Sequence, residues 1–323
     1  MSIVAVTGSG GFIGAYLVRY LVQQGHKVRC VDNFLRGRPE RLKDIDGIEV
    51  FNADVRDKNA LLGIFKGCEV VFHLAAVNGT ENFYKHPDLV LDVGVRGAIA
   101  VSEACIEAGV PDLVVASSAE VYQTPAVVPT DESVPLVMPN SLNPRYSYGG
   151  SKLISELIAF NYCRDKLRKV QVFRPHNVYG PDMGWKHVIP QLVGKLQQAE
   201  GAAKPSITLQ GDGSETRAFC YVDDIVRGIV TMWEKGETMN VYHIGTMEEV
   251  SIRDLTQQIC DAYGADAEVV SGPAMEGGTP RRCPDVGKMV KLGYKPQVSL
   301  KQGLDWTVSW YKGHPEPSGN KLL

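Results

Sequence analysis

In the first half of the chain, short apolar runs alternate with longer amphipathic stretches. The apolar runs are rich in β-branched residues, as buried strands are; they are Ile3–Val6, Lys27–Val31, Ile48–Phe51, Glu69–His73, Leu113–Ala116 and Val170–Arg174. Helical patterns occupy Gly14–Gln24, Pro87–Glu107 and Tyr146–Asp165. This alternation predicts an α/β fold of the doubly wound, Rossmann type, in which helices cover both faces of a parallel sheet.

The alternation becomes irregular beyond about residue 175. Glycine and proline cluster at Gly180-Pro181 and at Gly211-Asp212-Gly213, as they do in loops. We therefore predict a first domain over residues 1–175, to which parts of about 215–248 return. A smaller α/β domain over residues 176–323 is predicted to hold the substrate.

The composition is that of an ordinary globular protein, with 44% hydrophobic and 22% charged residues in a chain of 323. A formal net charge of −3 gives no electrostatic footprint for nucleic acid or an anionic membrane, so neither is expected as a partner. The strand-like run begins directly after Met1 with no visible signal peptide, and a cytoplasmic location is expected. Seven cysteines are scattered singly, which predicts buried reduced thiols and no metal site.

A glycine-rich turn joins the first predicted strand to the first predicted helix, over Thr7-Gly8-Ser9-Gly10-Gly11-Phe12-Ile13-Gly14. Glycines at this junction let the backbone approach a pyrophosphate, which then lies at the helix N-terminus. Asp32 follows at the end of the second strand, where a carboxylate accepts hydrogen bonds from the adenosine ribose. Turn and acid together predict an NAD site. Arg36 and Arg38 leave a 2′-phosphate, and hence NADP, as the less favoured alternative.

Further cofactor contacts are expected where the later strands end. Asp54 and Val55 are placed to reach the adenine ring, and residues 74–76 to lie beside the ribose. The full predicted set is Gly8, Gly11, Phe12, Ile13, Gly14, Asp32, Asn33, Asp54, Val55, Leu74, Ala75, Ala76, Tyr148, Lys152, Pro175 and His176.

An oxidation centre is indicated by Tyr148-Gly149-Gly150-Ser151-Lys152, which puts a phenol and an ammonium one helical turn apart on the same face. A nearby cation favours the phenolate, so the pKa of Tyr148 is expected to fall from about 10 towards neutrality. The tyrosine then accepts a proton from an alcohol while hydride leaves the same carbon for a nicotinamide. Ser118, which follows the strand at Leu113–Ala116, supplies a hydroxyl that orients the same alcohol.

With these segments, nearly the whole chain resembles the extended short-chain dehydrogenase/reductase superfamily, within its NAD-dependent nucleotide-sugar epimerase/dehydratase family. The resemblance rests on the glycine turn, Asp54-Val55, His73–Ala76, Ser117–Tyr122, Tyr148–Lys152, Arg174–Pro181, Gly211–Arg217 and Pro280–Asp285. It implies a Rossmann domain that keeps NAD bound, a smaller domain that binds a nucleotide diphosphate, and a catalytic triad of Ser118, Tyr148 and Lys152. It also implies a homodimer formed through a four-helix bundle.

One departure from the family concerns the helix before the catalytic strand. That helix often begins Asn-Val-x-Gly-Thr, whereas this chain reads Gly94-Val95-Arg96-Gly97-Ala98. A side chain that often braces the backbone of the site is therefore absent at Gly94, and the rigidity of this segment is expected to be affected.

The two residues after Ser118 bear on the reaction. In 4,6-dehydratases these positions are typically Asp and Glu, an acid and a base, whereas this chain has Ala119 and Glu120. Simple 4-epimerases usually have an uncharged residue where Glu120 stands. Sugar-nucleotide decarboxylases look more similar, because they carry a hydroxyl residue followed by Glu and a segment like Arg281-Arg282-x-Pro-Asp285.

A second local match points to epimerisation. The segment Asn177–Lys186 is similar to the part of GDP-mannose 3,5-epimerases that contains their catalytic lysine, and Glu120 falls where those enzymes place a catalytic cysteine. A carboxylate and an ammonium on opposite faces of a sugar ring can remove a proton and return it from the far side. The alternatives are that Lys186 binds only phosphate or solvent and that Glu120 is structural.

Substrate contacts are expected from arginines, which suit bidentate phosphate binding, and from the loop after the fourth strand. The predicted set is Asn78, Thr80, Ser118, Asn177, Val188, Arg217, Arg281 and Arg282. One of the two adjacent arginines is expected to face the site, and His176 and His187 are expected to border it.

Taken together, the sequence predicts an NAD-dependent epimerase that acts on a UDP- or GDP-hexose through a 4-keto intermediate. A dehydratase or a UDP-glucuronate-type decarboxylase that uses Glu120 is the alternative within enzymes. A catalytically silent NAD-sensing protein is the alternative from another class, because fold alone does not fix function.

Overall fold

A computed structural model describes residues 1–201, 205–273 and 279–315 of the chain. Its main sheet has seven parallel strands. In chain order they are β1 (Ile3–Thr7), β2 (Lys27–Asp32), β3 (Ile48–Asn52), β4 (Val70–His73), β5 (Asp112–Ala116), β6 (Lys169–Pro175) and β11 (Asn240–Ile244). Their order across the sheet is β11-β6-β5-β4-β1-β2-β3. The predicted doubly wound α/β fold is thus confirmed.

The other elements surround this sheet. The helices are α1 (Phe12–Gln23), α2 (Lys58–Phe65), α3 (Thr80–Lys85), α4 (Pro87–Leu91), α5 (Gly97–Ala108), α6 (Ser147–Cys163), α7 (Val188–Gln198), α8 (Val222–Lys235), α9 (Ile252–Tyr263), α10 (Gly287–Lys291) and α11 (Leu300–Gly313). Short strands form three small sheets; they are β7 (Val178–Tyr179), β8 (Ser206–Thr208), β9 (Thr216–Ala218), β10 (Cys220–Tyr221), β12 (Glu249–Ser251), β13 (Glu268–Val270) and β14 (Arg281–Arg282).

Both faces of the main sheet are buried, which explains why its strands are apolar throughout rather than alternating. On one face, Leu17 and Leu21 of α1 pack with Ile225 and Ile229 of α8 in one core. On the other face, α2, α5 and α6 cover a second core that includes Phe65. Residues 240–244 form β11, the edge strand of the main sheet next to β6. The division into two domains at residue 175 stays a prediction.

The predicted helix Pro87–Glu107 is interrupted by a π-helical turn over Asp92–Arg96. This turn contains Gly94, the position where the family's asparagine is absent. A Cβ at Gly94 would lie 2.7 Å from Ser151, so glycine permits α6 to approach closely here. Ser155 of α6 also donates a hydrogen bond to the Gly94 carbonyl, 3.1 Å away. The helices thus brace each other directly where a longer side chain is missing.

A third hydrophobic core lies under the C-terminal elements, between α7, α9 and α11. Above it, β14 pairs in parallel with β9 and brings Arg282 opposite Arg217. Two arginines that are distant in sequence are thereby placed side by side, with Arg281 on the opposite face of its strand.

Several global expectations can be compared with the described residues. None of their helices is long and apolar enough to cross a membrane. All seven cysteines are free and buried, as their scattered positions predicted. Within the same residues, no three His, Cys, Asp or Glu side chains are grouped to hold a metal ion.

Candidate active site

A cavity of about 570 Å³ opens at the carboxyl ends of the sheet strands, where α/β proteins place their ligands. It brings together most of the residues predicted from sequence. Those that line it are Gly8, Gly11, Phe12, Ile13, Gly14, Asp32, Asn33, Asp54, Val55, Leu74, Ala75, Ala76, Asn78, Ser118, Tyr148, Lys152, Pro175 and Asn177.

The glycine turn is packed so closely that it excludes larger side chains. Gly8 has a φ of +72°, and a Cβ there would lie 2.8 Å from the backbone nitrogen of Ala75. A Cβ on Gly14 would overlap the carbonyl oxygen of Gly8, so helix α1 can begin this close to the turn only with glycine. The backbone itself is therefore free to face a pyrophosphate at the helix N-terminus.

Asp32 is fixed at the floor of the cavity. Its carboxylate accepts hydrogen bonds from the backbone nitrogens of Gly10 and Phe34, at 2.9 and 2.8 Å. Burial raises the pKa of Asp32, and these two bonds oppose that effect. The two arginines considered for a 2′-phosphate have other partners: Arg36 donates to the Asn78 carbonyl and Arg38 pairs with Asp182. These contacts fit NAD better than NADP.

The three residues predicted for the oxidation centre, Ser118, Tyr148 and Lys152, line the same cavity. The phenol of Tyr148 is buried, and its ring stacks on Phe83 with centroids 5.1 Å apart. Ser118 lines the same cavity as Tyr148, and its hydroxyl caps the short turn Ala119–Tyr122. Lys152 donates a hydrogen bond to the carbonyl of Ala116 at 2.7 Å, and its ammonium lies 5.9 Å from the Tyr148 ring centroid.

The predicted lowering of the Tyr148 pKa is wrong. Burial raises the pKa of Tyr148 to about 12, while the hydrogen bond from Ser118 lowers it to a lesser extent. Burial also lowers the pKa of Lys152 to about 8. Both shifts have one cause: a low-dielectric site disfavours the phenolate and the ammonium alike.

Glu120 lies beside this centre and is held by arginines. Its carboxylate pairs with Arg282 at 2.7 Å and lies 4.0 Å from Arg145. Burial raises the pKa of Glu120, but the arginines around it lower the pKa more, so the net shift is downward. A Cβ on Gly149 would lie 2.9 Å from the Glu120 carbonyl, so glycine after Tyr148 lets the Glu120 turn pack against α6.

Several other predicted residues do not line the cavity, and their roles stay predictions. Lys186 pairs with Glu81 at the protein surface. Arg281 is exposed and pairs with Glu249, so Arg282 is the member of the arginine pair that faces the centre. Thr80 is exposed at the start of α3, and Val188 begins α7 beside the third core.

His176 was predicted to touch the cofactor, but its side chain does not line the cavity. Its ring is fully buried against the ring of His243, with centroids 4.7 Å apart. Burial keeps the pKa of His176 well below its usual value. Pro175 and Asn177 on either side do line the cavity, as the alternation of side chains along the segment leads one to expect, and a cofactor contact of His176 stays a prediction.

Sequence reasoning missed the loops that meet at the mouth of the cavity. The loop after β2 contacts the loop after β4 through Arg36 and Asn78, and the segment after β7 through Arg41 and Asp182. The salt bridge between Lys186 and Glu81 joins the segment after β7 to the segment after β4. These contacts, which we call the mouth clasps, link three loops in a closed ring. The one available signal was the run of basic residues after Asp32.

A Rossmann-type sheet, a dinucleotide turn and a buried serine, tyrosine and lysine define an enzyme of the extended short-chain dehydrogenase/reductase class. Residues 4–245 match the model of the NAD dependent epimerase/dehydratase family. The chain belongs to this family, and its cofactor is NAD.

Proteins that are similar to this chain over nearly its full length are named for different reactions. UDP-N-acetyl-alpha-D-glucosaminuronate decarboxylase of Bacillus cytotoxicus is 29% identical over 95% of this chain and 97% of its own length. UDP-glucose 4-epimerase of Mycolicibacterium smegmatis is 33% identical over 95% and 97%. The structure of the dTDP-glucose 4,6-dehydratase of Streptomyces venezuelae with NAD bound has a TM-score of 0.86 and 31% identity, over 97% of each chain. All are sugar-nucleotide enzymes, so the family resemblance and the enzymatic class are confirmed and the reaction is left open.

The mouth clasps lead to a prediction about cofactor retention. Arg41 donates to the carboxylate and the carbonyl of Asp182, both at 2.7 Å, and to the carbonyl of Gly10 in the glycine turn at 3.0 Å. Asp182→Asn removes the charge at a residue with φ +62°, a backbone conformation that asparagine also tolerates. We expect NAD to dissociate about tenfold faster, which corresponds to roughly 1.4 kcal/mol. Stopped-flow displacement of bound NAD measures this rate.

The control for this prediction is Asp165→Asn. Asp165 also has a positive φ, of +59°, and is exposed just after α6. Its substitution is expected to leave NAD release unchanged. Equal release rates in both variants and the unchanged protein would show that the clasp at Asp182 does not hold the cofactor.

Proposed function

We propose that this protein is an epimerase that oxidises C4 of a nucleotide-linked hexose, changes the configuration of the resulting 4-keto sugar, and reduces the ketone again. The observation that carries the proposal is the convergence of Ser118 and Tyr148 with an ionised Glu120. A ketone at C4 acidifies the hydrogens on C3 and C5, where a carboxylate base then acts.

The residues of the centre divide the work between them. Ser118 orients the substrate hydroxyl and Tyr148 accepts its proton as the phenolate. The positive charge of Arg36 favours the phenolate against the effect of burial, and the Lys152 ammonium, 5.9 Å from the ring centroid, also contributes a positive charge. Bound NAD supplies the hydride acceptor. Glu120 takes a proton from the carbon next to the ketone, and Arg282 keeps the Glu120 carboxylate charged beforehand. A proton from solvent water then reaches the opposite face of the resulting enolate, which inverts that carbon.

Dehydration is less well supported because of Ala119. Loss of water from a sugar needs an acid that protonates the departing hydroxyl, and alanine at residue 119 cannot donate a proton. The contacts of Lys186 also change the sequence-based hypothesis. Since its ammonium is paired with Glu81 at the surface, we assign the ring chemistry to Glu120 and do not assign a catalytic role to Lys186.

Decarboxylation of a nucleotide-linked uronate is the second candidate. Arg145 stands 4.0 Å from Glu120, at the outer limit of an ion pair, so its guanidinium can turn towards a carboxylate on the sugar. The similarity over nearly the full chain to a glucosaminuronate decarboxylase also favours this candidate.

Substrate binding is proposed for a basic surface beside the centre. Arg217 and Arg282 lie side by side on paired strands, and Asn177 lines the cavity next to them. These groups suit a nucleotide diphosphate, with Asn78 at the other side of the cavity facing the hexose. On this basis we propose that residues 176–323 form the nucleotide-sugar-binding domain. The identity of the nucleotide, UDP or GDP, and a cytoplasmic location stay predictions.

A homodimer is proposed through α6 and the helical segment before it. Leu157, Ile154 and Tyr162 on α6 are exposed, with Leu157 at 55%, and Leu91 of α4 is exposed as well. Pairing these faces from two copies forms a four-helix bundle and buries the apolar side chains. Sedimentation equilibrium decides between this dimer and a monomer.

The proposed function is tested by an NMR time course in D₂O. NAD-loaded protein is given UDP-glucose, UDP-glucuronate, UDP-N-acetylglucosamine and GDP-mannose in separate reactions. Deuterium at C3 or C5 of an epimerised product supports proton removal beside a ketone. Inversion at C4 without deuterium returns Glu120 to a binding role. Loss of CO₂ identifies the decarboxylase, and water loss with a 4-keto-6-deoxy product overturns the epimerase proposal in favour of a dehydratase.

A further inference from the structure

Helix α6 presents a column of three polar side chains, one per turn, to the end of strand β5. Tyr148 meets Ser118, and Lys152 donates to the carbonyl of Ala116. One turn further, Glu156 accepts a hydrogen bond from the hydroxyl of Ser117. Three turns of the helix therefore contact three consecutive residues of β5 and its end, and two of these contacts are made by the oxidation centre.

We propose that Glu156 is a positioning residue of the oxidation centre, which fixes Ser117 beside Ser118 and keeps the ammonium of Lys152 charged. Glu156 touches neither the cavity nor the reacting atoms, so its effect passes through Lys152 and the end of β5. The inference rests on the oxidation step of the proposed function and does not depend on which sugar is used.

Glu156 forms a buried ion pair with Arg174. Only 4% of Glu156 and 3% of Arg174 is exposed. Arg174 donates to both carboxylate oxygens of Glu156, at 2.8 and 2.6 Å, in the two-pronged geometry that makes such pairs strong. Arg174 also donates to the hydroxyl of Tyr122, which is hydrogen-bonded to His243 at 2.7 Å. The carboxylate is therefore held rigidly under the centre.

Among the groups around Lys152, Glu156 is the one whose charge raises the pKa of the ammonium. Burial lowers the pKa of Lys152, and Glu156 raises it in opposition. Tyr148 on the same helix and His73 of β4 also face the ammonium, but the charge that raises the pKa of Lys152 is that of Glu156. Burial raises the pKa of Tyr148 to about 12 and lowers that of His73 to about 3. Arg174 of β6 is a cation on the far side of Glu156.

The test is Glu156→Gln in the NAD-loaded protein. Glutamine keeps the shape and an oxygen acceptor for Ser117, but it removes the negative charge next to Lys152. The ammonium should then lose its proton at lower pH, and turnover, which needs the charged form, should fall on the basic side about one pH unit earlier. The titration of Lys152 itself is followed by NMR of lysine labelled with ¹³C at Cε, with the signal assigned from Lys152→Met.

Because Glu156→Gln leaves Arg174 buried and unpaired, it can fail to fold. The double variant Glu156→Gln, Arg174→Met removes both charges together, which proteins often tolerate. It is expected to show the same downward shift of the Lys152 titration. Glu156→Asp keeps the charge and should restore the basic limb.

Ser117→Ala separates positioning of β5 from the effect of charge. It keeps Glu156 ionised, so turnover should fall while the Lys152 titration stays in place. If Lys152 titrates at its original pH in a folded variant without Glu156, the proposal is overturned. The NMR titration needs no turnover, so it decides this point even if none of the four nucleotide sugars reacts.

Discussion

The Tyr148→Phe variant is expected to lose turnover by about 10²–10⁴-fold, the usual contribution of a general acid–base group. Phenylalanine keeps the ring that stacks on Phe83, where the two planes differ by 12°, so the cavity retains its shape. The substitution removes the hydroxyl beside Ser118, which takes the proton of the substrate alcohol. Affinity for NAD should hardly change, and fluorescence titration with NAD measures it alongside turnover.

Tyr162→Phe is the matched control for Tyr148→Phe. Tyr162 lies on the same helix, but 38% of it is exposed and it does not line the cavity. Its substitution should leave turnover unchanged. Full turnover in Tyr148→Phe would contradict the assignment of Tyr148 as the proton acceptor of the oxidation centre.

The parts of the fold and site that sequence could predict are those encoded locally. Runs such as Val170–Arg174 differ from the observed strands by one residue at one or both ends, because β-branched composition and flanking turns mark a buried strand. The glycine turn and the pair Tyr148 and Lys152 were readable for the same reason. Each is a set of neighbours whose spacing alone fixes their geometry.

Long-range pairings were not readable. Glu156, Arg174, Tyr122 and His243 form one buried network, yet they lie on four separate elements, and only a charged residue at the end of an apolar strand hinted at Arg174. The facing of Arg282 was left open because it depends on the pairing of β14 with β9. Such contacts follow from tertiary packing rather than from any local pattern.

Electrostatics also depended on burial that a sequence does not show. A lysine four residues after a tyrosine predicted a lowered Tyr148 pKa, whereas burial of the phenol is the larger effect and raises it. For Glu120 the balance is reversed. Its arginine neighbours outweigh burial, so a carboxylate inside the protein stays ionised.

That balance underlies the second large prediction, which concerns Glu120→Gln. Glutamine keeps the shape and the contact to Arg282 at 2.7 Å, so substrate binding and oxidation at C4 should persist. Removal of a proton beside the ketone should slow by about 10²–10⁴-fold, because an amide cannot act as the base. The oxidised intermediate should therefore accumulate, visible as a lasting NADH absorbance together with loss of deuterium uptake from D₂O.

The chain offers a closely matched control in Glu249→Gln. Glu249 pairs with Arg281, just as Glu120 pairs with Arg282. Arg281 and Arg282 are neighbours on β14, and Arg281 lies on the face of that strand away from the centre. This variant should keep normal turnover and deuterium uptake. If Glu120→Gln also exchanged deuterium at the normal rate, Glu120 would serve only to orient Arg282 and the proton at the ring would have to leave by way of another group. If it oxidised nothing at all, the carboxylate would be needed before the ketone forms, and the order of steps proposed for this site would be wrong.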